Sequence, residues 1–413
     1  MILIKIYSSK IINFFNNPKS AFLISFIIYL IFSIYGNDSI WKPSIHSYFN
    51  YLADAFLHGQ FHFRLDPPTV HDLVLFDNKI YAYWPPFPAI LLMPFIAIFG
   101  VDFSDILFTI FLGSANIALL SILLSELNKK NIIFLDPIKR GLLVIFFAFG
   151  TVYFTMVPLG RVWFTALVVG VFCVLITYLA ATSIEGKWGF FLAGVGISAA
   201  MATRMHLLVV GLWPAWYLLS INWNKPKKEI IRNIIYGISP LLITSLFILY
   251  YNYSRFGNLF DVGLNYHVMG DIFRDEFYEY GAFNLYYLPK NFYYQFIAYP
   301  FFAKDAMTFF MGGSLFLLSP VFFAFFWAFL KKEKMSSKLI LLFTILLTNI
   351  PILLLMGTGW LQFGPRYSLD YSIPLLILTA LGIKNWPNRV ILILVLISIV
   401  HYLFGLYMFI IKI

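Results

Sequence analysis

Charged residues are scarce in this sequence, and cysteine is almost absent. Only 12% of the 413 residues are charged, whereas 61% are hydrophobic. A soluble domain carries roughly 25% charged residues, and a chain this apolar has too few polar groups to cover a soluble surface. The scarcity of charge therefore excludes a soluble globular fold and indicates an integral membrane protein.

The single cysteine, Cys173, lies within an apolar run. One cysteine excludes an intramolecular disulfide and a thiolate metal site. The sequence also has no internal repeat, which argues against an inverted-repeat transporter. The net charge of +10 does not indicate nucleic-acid binding, because the basic residues are spread over short loops between apolar runs.

Long apolar runs are what the sequence does have, and they predict an all-α polytopic membrane protein with about eleven spans. The predicted spans are 21–36, 106–125, 141–158, 164–182, 189–203, 207–221, 233–251, 310–330, 339–356, 368–383 and 390–410. The run 86–99 is short and contains three prolines, so we expect it to lie in the interface or to re-enter.

The distribution of basic residues predicts the orientation of the chain. With Lys5, Lys10 and Lys19 before the first span, 18 of the 29 Lys and Arg residues but only 5 of the 19 acids fall in loops of one side. Because cytoplasmic loops are enriched in Lys and Arg, we expect the N-terminus in the cytoplasm. The first run predicts an uncleaved signal anchor, and the chain is expected in a bacterial inner membrane.

Two long segments, about 37–105 and 252–309, are predicted on the non-cytoplasmic side of a single domain that comprises residues 1–413. Both are rich in aromatic residues, so we expect folded loops with helices at the membrane surface. The stretch from Tyr48 to His58 has an apolar stripe at helical spacing, which predicts one such surface helix.

Five short motifs follow one another in a recognisable order. They are Leu57-His58-Gly59, Tyr83-Trp84-Pro85-Pro86-Phe87-Pro88, Ala202-Thr203-Arg204, Tyr251-Asn252-Tyr253-Ser254-Arg255-Phe256-Gly257-Asn258 and Gly364-Pro365-Arg366-Tyr367. In this order and topology the chain resembles the GT-C superfamily of membrane glycosyltransferases. It is most similar to bacterial relatives of dolichyl-phosphate-mannose protein mannosyltransferases and lipid A aminoarabinose transferases.

The resemblance implies transfer of a hexose or pentose from a polyprenyl-phosphate donor to a lipid, glycan or protein acceptor at the outer face. A carboxylate of the first outer loop would act on the acceptor hydroxyl, and arginines would neutralise the leaving lipid phosphate. The resemblance does not firmly imply any cofactor, and a divalent metal stays possible because some relatives use one. Histidines and aspartates of the first loop match no compact metal motif: His58, His62, His71, Asp66 and Asp72.

The candidate base differs from the pattern of the relatives. Where they carry an acidic residue before the surface helix, this chain has Ile45-His46-Ser47. The catalytic candidates are therefore Asp54, Asp77 and His46. The unperturbed pKa of histidine, ~6.5, suits a base. The alternatives are a loop histidine and a solvent-exposed aspartate without catalytic roles.

The predicted donor-phosphate site consists of Arg366 and Tyr367, with Arg204 and Arg161 at other predicted outer helix ends. An arginine grips phosphate oxygens with two N–H groups, but a snorkelling arginine at a helix end is the structural alternative. Two other functions stay open at this point: a transporter or flippase of lipid-linked sugars, and a relative that has lost catalysis.

Overall fold

The structure is a computed structural model that describes residues 12–359 and 361–412. Lys5 and Lys10, which the sequence assigns to the inside, lie outside the described residues. The α-helices are, in chain order, α1 Pro18–Gly36, α2 Tyr48–Leu57, α3 Phe87–Phe99, α4 Asp105–Lys129, α5 Pro137–Phe149, α6 Tyr153–Met156, α7 Val162–Ser183, α8 Gly186–Met201, α9 Leu212–Asn222, α10 Lys227–Phe256, α11 Asp271–Tyr280, α12 Leu288–Phe292, α13 Ala306–Phe309, α14 Leu315–Leu318, α15 Ala324–Trp327, α16 Met335–Leu354, α17 Ser372–Gly382 and α18 Asn388–Lys412.

Short 3₁₀ helices and one π-helix connect these elements. The 3₁₀ segments are Val157–Leu159, Met205–Gly211, Leu264–Tyr266, Leu285–Tyr287, Pro300–Phe302, Pro320–Phe323, Ala328–Leu330, Arg366–Tyr371 and Ile383–Asn385, and the π-helix is Tyr293–Ile297. Sheet is limited in the described residues to an antiparallel hairpin, β1 Val74–Phe76 with β2 Lys79–Tyr81, and a parallel pair, β3 Met311–Gly312 with β4 Gln362–Phe363.

Helix boundaries follow local capping chemistry. The side chain of Asn17 accepts hydrogen bonds from the N–H groups of Lys19 and Ser20 at the start of α1, and Ser104 caps α4 through the N–H of Leu107. Helix α10 ends at Gly257, whose positive φ of 68° permits the left-handed turn that terminates a helix.

The all-α polytopic class is confirmed, while the count of eleven spans stays a prediction. Among the described residues seven helices are long and apolar enough to cross a membrane, and 137–149 with 153–159 form an eighth candidate bent by 41°. The other three predicted spans correspond to the 16-residue helix α8, the broken segment 315–330 and the short helix α17 with its flanking 3₁₀ turns.

Helix α7 lies at the centre of the bundle and packs against α4 and α8, whereas α1 and α10 are peripheral. Helices α8 and α10 pack closely, because a Cβ added at Gly194 would lie 2.2 Å from the carbonyl oxygen of Gly237. Small residues permit such close backbone approach between membrane helices. The bundle therefore places a rigid core beneath the outer loops.

Contacts between loops occur in both of the sets that the charge distribution predicts. On the predicted outer side, Val74 pairs with His267 and Phe283 pairs with Leu355, so the two long loops contact each other and the turn after α16. On the predicted inner side, the Lys139 ammonium donates to the carbonyl of Lys384 at 2.7 Å. The two bridges bring parts of both long loops next to the turn after α16.

Candidate active site

A cavity of about 450 Å³ opens where the three outer segments meet. We call it the arginine cavity, and it is lined by Asp72, Tyr83, Trp84, Pro85, Pro86, Trp163, Thr203, Arg204, Met205, His206, Ile248, Tyr251, Asn252, Arg255, Val262, Leu264, His267, Met269, Phe273, Ala282, Phe283, Pro351, Ile352, Leu355, Met356, Gly357, Gly359, Arg366 and Tyr367. Its volume lies in the range of pockets that hold small molecules, roughly 300–1,000 Å³.

Arg366 stands at the entrance to α17 and is buried, with 5% of its surface exposed. Its Nη2 lies 3.3 Å from the hydroxyl of Tyr367, and its Nε has no hydrogen-bond partner among the described residues. No carboxylate of the described chain forms an ion pair with it. A buried guanidinium without a counter-charge is costly, so this side chain is suited to receive an anionic ligand.

Arg204 follows the C-terminus of α8 and is held by a buried carboxylate. Its Nη2 and Nε lie 3.0 and 3.1 Å from Oδ2 of Asp370, which also contacts Nε2 of His206 at 2.8 Å. The guanidinium carbons of Arg204 and Arg366 lie 4.9 and 5.1 Å from the centre of the Tyr367 ring. Tyr367 thus joins the two arginines into one cationic surface.

Arg255, in the last turn of α10, is the third arginine of the cavity and, like Arg366, is buried. It donates to the carbonyl of Ala82 at 2.7 Å and to Oδ1 of Asn252 at 2.8 Å, and its guanidinium carbon lies 3.8 Å from the centre of the Tyr251 ring. These contacts connect α10 to the first outer loop. The Arg255 guanidinium also adds a positive charge to the cavity, and no carboxylate of the described chain lies within ion-pair distance of it.

Asp72 is the one carboxylate among the residues that line the arginine cavity. Its φ of 60° is a left-handed conformation that aspartate tolerates better than most residues. The indole Nε1 of Trp163 donates to Oδ2 of Asp72 at 2.9 Å, and Nε2 of His267 lies 3.5 Å from Oδ1. Burial lowers the pKa of His267 despite the nearby carboxylate, which favours a neutral imidazole beside Asp72.

Tyr83 and Trp84 connect the acidic and basic parts of the cavity. Their rings stack with centres 4.2 Å apart, and the Tyr83 ring packs edge-to-face on His267 at 4.7 Å. Burial, and next the charge of Asp72, raise the pKa of Tyr83 well above its usual value, while Arg366 and Arg204 oppose the rise. Tyr83 therefore stays protonated within electrostatic reach of both charged groups.

The predicted phosphate residues are brought together with one exception. Arg366, Tyr367 and Arg204 all line the arginine cavity, but Arg161 does not. Arg161 precedes α7 with a φ of 72° and interacts electrostatically with Asp105. Its position is that of a helix-start residue behind the cavity wall.

The three predicted catalytic residues lie away from the cavity lining. Asp54 is buried in α2, where Arg64 donates to its two oxygens at 2.9 and 3.0 Å. Asp77 is exposed in the turn of the β1–β2 hairpin, with a φ of 49°. His46 packs on Trp163, with ring centres 4.7 Å apart.

His46 is neutral at physiological pH. Burial, followed by the positive charges of Arg161 and His71, lowers the pKa of His46 from 6.5 to about 4. Its Nδ1 is buried without a hydrogen-bond partner in the described chain. In the described residues, no group of three or more His, Cys, Asp or Glu side chains is arranged to hold a metal ion.

Sequence reasoning assigned no role to Arg255 and considered Asp72 only as a metal ligand. Arg255 belongs to the motif that opens the second outer loop, so its place in the motif was the available signal. Asp72 lies in an irregular loop, and its partner Trp163 is 91 positions away in the sequence. No local periodicity marks such a contact.

No protein-family model and no curated protein matches the sequence. The structure is similar to that of ArnT from Cupriavidus metallidurans bound to undecaprenyl phosphate, with a TM-score of 0.53, 11% identity, and coverage of 89% of this chain and 60% of that chain. ArnT is a GT-C enzyme. The chain has a GT-C fold. The resemblance drawn from the motif order is thus confirmed at the level of fold, over about 60% of the length of ArnT.

A second GT-C structure, the S. cerevisiae protein O-mannosyltransferase Pmt1-Pmt2 complex bound to the sugar donor, matches with a TM-score of 0.37 and 15% identity. The match covers 59% of this chain and 34% of that chain.

Proposed function

We propose that this GT-C protein is a glycosyltransferase that moves a sugar from a polyprenyl-phosphate donor to an acceptor at the outer face of a bacterial inner membrane. The observation that carries this proposal is the buried guanidinium of Arg366, which lacks a carboxylate partner in the described chain. Asp370 pairs with Arg204, so Arg366 and Arg255 against Asp72 leave the cavity with a positive balance suited to a phosphate.

The walls of the cavity suit a lipid-linked donor. Ile248 of α10 and Pro351 and Ile352 of α16 give it an apolar side. Helix α10 packs on α8 and α16 packs on α9 and α17, but these two lining spans do not pack along each other in the described structure. In this proposal the polyprenyl chain enters between these two spans while its phosphate meets the arginines.

The proposed reaction uses groups that the cavity already holds. The acceptor hydroxyl transfers its proton to Asp72, its oxygen bonds to the anomeric carbon, and the bond from that carbon to the phosphate oxygen breaks. The electron pair of that bond stays on the lipid phosphate, where Arg366 and Arg255 stabilise the added charge. Trp163 fixes the orientation of Asp72 through the 2.9 Å hydrogen bond. The base assignment thus moves from Asp54, His46 or Asp77 to Asp72.

Native mass spectrometry of the protein, gently purified from its own membrane, tests this proposal. We expect a bound polyprenyl phosphate or its sugar conjugate in the wild type. The variant Arg366→Gln should retain it about 10–100-fold less well, because a hydrogen bond to a charged group contributes about 1.5–3 kcal/mol.

The matched control is Arg389→Gln, which removes the same charge from an exposed position near the start of α18. It should retain the lipid as the wild type does. A wild-type protein that carries ordinary phospholipids but no polyprenyl phosphate would refute the proposed donor.

A further inference from the structure

An open groove of about 690 Å³ lies on the second outer loop, beside the arginine cavity. It is formed by the segments 258–265 and 277–282, and we call it the acidic groove. Val262, Leu264 and Ala282 line both the groove and the cavity. A molecule that occupies the groove can therefore extend one end past these shared residues toward Asp72.

The charge of the groove is opposite to that of the cavity. Its lining includes the carboxylate of Asp261 and no lysine or arginine. Phe277 and Tyr278 of helix α11 line the groove. The helix also carries four acids and one base beside the lining: Asp271, Asp275, Glu276, Glu279 and Arg274. Arg274 pairs with Asp271 and Lys290 pairs with Glu276, so Asp275 and Glu279 are the acids of this helix without an ion pair in the described residues. A phosphorylated or carboxylated ligand would meet repulsion here, whereas an uncharged ligand would not.

Aromatic rings stand exposed on the same surface. Phe260 is 81% exposed and Tyr278 is 77% exposed, and both line the groove. The exposed charges of Asp271 and Arg274 on α11 show that this part of the loop faces water rather than lipid. Large aromatic rings exposed to water beside polar groups are typical of binding surfaces.

Polar side chains surround the two rings. Asn258 and Asn265 are exposed in the groove, and Asp261 uses Oδ1 to accept the N–H of Gly263 at 2.7 Å. Amide and carboxylate groups can exchange hydrogen bonds with hydroxyls, while the apolar faces of sugar rings can pack on Phe260 and Tyr278. The combination selects a ligand that is rich in hydroxyls and free of negative charge.

We propose that the acidic groove binds the acceptor, and that this acceptor is the neutral, hydroxyl-rich end of a saccharide. As an acceptor site it rests on the proposed transferase function, since only transfer in the arginine cavity makes a ligand of the groove an acceptor. The division of charge assigns the anionic donor to the cavity and the uncharged acceptor to the groove.

Saturation-transfer NMR on the full-length protein tests the proposal, in a detergent whose head group contains no sugar. The probes are maltotetraose, which is neutral, and tetragalacturonate, which has the same length and is anionic. We expect saturable binding of maltotetraose and at least tenfold weaker binding of tetragalacturonate. Tyr278→Ala should weaken maltotetraose binding at least fivefold, whereas Tyr253→Ala, at an exposed tyrosine outside the groove, should not.

A second variant tests the role of charge without removing a ring. Asp261→Asn/Glu279→Gln keeps the Oδ1 acceptor for Gly263 and should bring tetragalacturonate binding toward that of maltotetraose. Equal binding of both probes by the wild type, no binding of maltotetraose, or full binding by Tyr278→Ala would each overturn the proposal. Bound polyprenyl phosphate, measured by mass spectrometry on the same samples, reports separately on the transferase function and on the folding of each variant.

Discussion

The arginine cavity and the acidic groove have three lining residues in common, yet they carry opposite charge. The structural origin of the charge differs between them. The basic side chains of the cavity come from the ends of membrane helices and are buried against carbonyls, rings and Asp370. The carboxylate that lines the groove, Asp261, lies in an irregular part of the second outer loop, and further acids lie beside it on helix α11. Electrostatic interactions are stronger in a buried site than in water, so tight phosphate binding belongs in the cavity and weak selection of the acceptor in the groove.

The largest expected effect is a loss of turnover without a loss of lipid binding, on substitution of Asp72. Asp72→Asn should lower the turnover of sugar transfer by about 10²–10⁴-fold, because it removes the proposed base while keeping an acceptor for the Trp163 N–H. Turnover is measured by mass spectrometry on membranes prepared from cells that express each variant, as the conversion of the lipid-linked sugar to free polyprenyl phosphate. The variant should still bind the lipid.

Two other aspartates of the first outer loop provide controls for Asp72. Asp77→Asn changes an exposed turn residue and should leave turnover unchanged. Asp54→Asn weakens the contact with Arg64, so we expect a small loss of thermal stability and normal turnover per folded molecule. If Asp54→Asn or Asp77→Asn abolished transfer while Asp72→Asn did not, the cavity would not be the site of the chemistry.

A second prediction concerns the role of each charge in folding. Asp370→Asn removes the buried carboxylate that pairs with the half-buried Arg204 and His206, and breaking a buried pair costs about 3–5 kcal/mol. The measurement is the free energy of unfolding in detergent, from denaturant titration. Asp275→Asn, the same substitution on the exposed face of α11, should cost little. If both variants lost similar amounts of unfolding free energy, buried and exposed charges would not differ in their contribution to folding.

The smallest expected effect concerns His46, which lines neither the arginine cavity nor the acidic groove. Through this residue the stability of the protein should depend on pH. The pKa of His46 is about 4 in the folded protein and near 6.5 when unfolded, so the unfolded state binds a proton first as the pH falls. Stability from this residue is fully present above pH 6.5 and is lost as the pH falls toward 4. Thermal unfolding of His46→Gln should show a flatter profile in this window, and an unchanged slope would exclude His46 as its source.

Hydropathy predicted the all-α fold, while the orientation from the charge bias and the site residues stay predictions. Continuous apolar runs such as 162–183 can be recognised from the sequence, because a membrane helix forms its backbone hydrogen bonds internally and needs only apolar side chains. The segment 315–330 looks equally apolar but is broken into short turns. The break falls at Ser319–Pro320, because proline cannot continue the preceding turn, and average hydropathy does not register this single residue.

The site was predictable where a residue ends a span and not where a loop folds back. Arg204 and Arg366 flank apolar runs, and both line the cavity. Asp54 has helical neighbours that suggested an exposed face, but Arg64 covers its carboxylate. Asp72 enters the cavity only because the loop around it pairs with the second outer loop through Val268.

That pairing between the two outer loops also determines when the site can form during synthesis. Val74 pairs with His267, and the N–H of Asp72 donates to the carbonyl of Val268 at 2.8 Å. The first loop is therefore synthesised long before its partner segment exists. At roughly 5–20 residues per second, it waits on the order of ten seconds or more with its aromatic residues unpaired. Completion of the active site is a late event in membrane insertion, and a ribosome stalled before the second outer loop would leave the carboxylate without its final position.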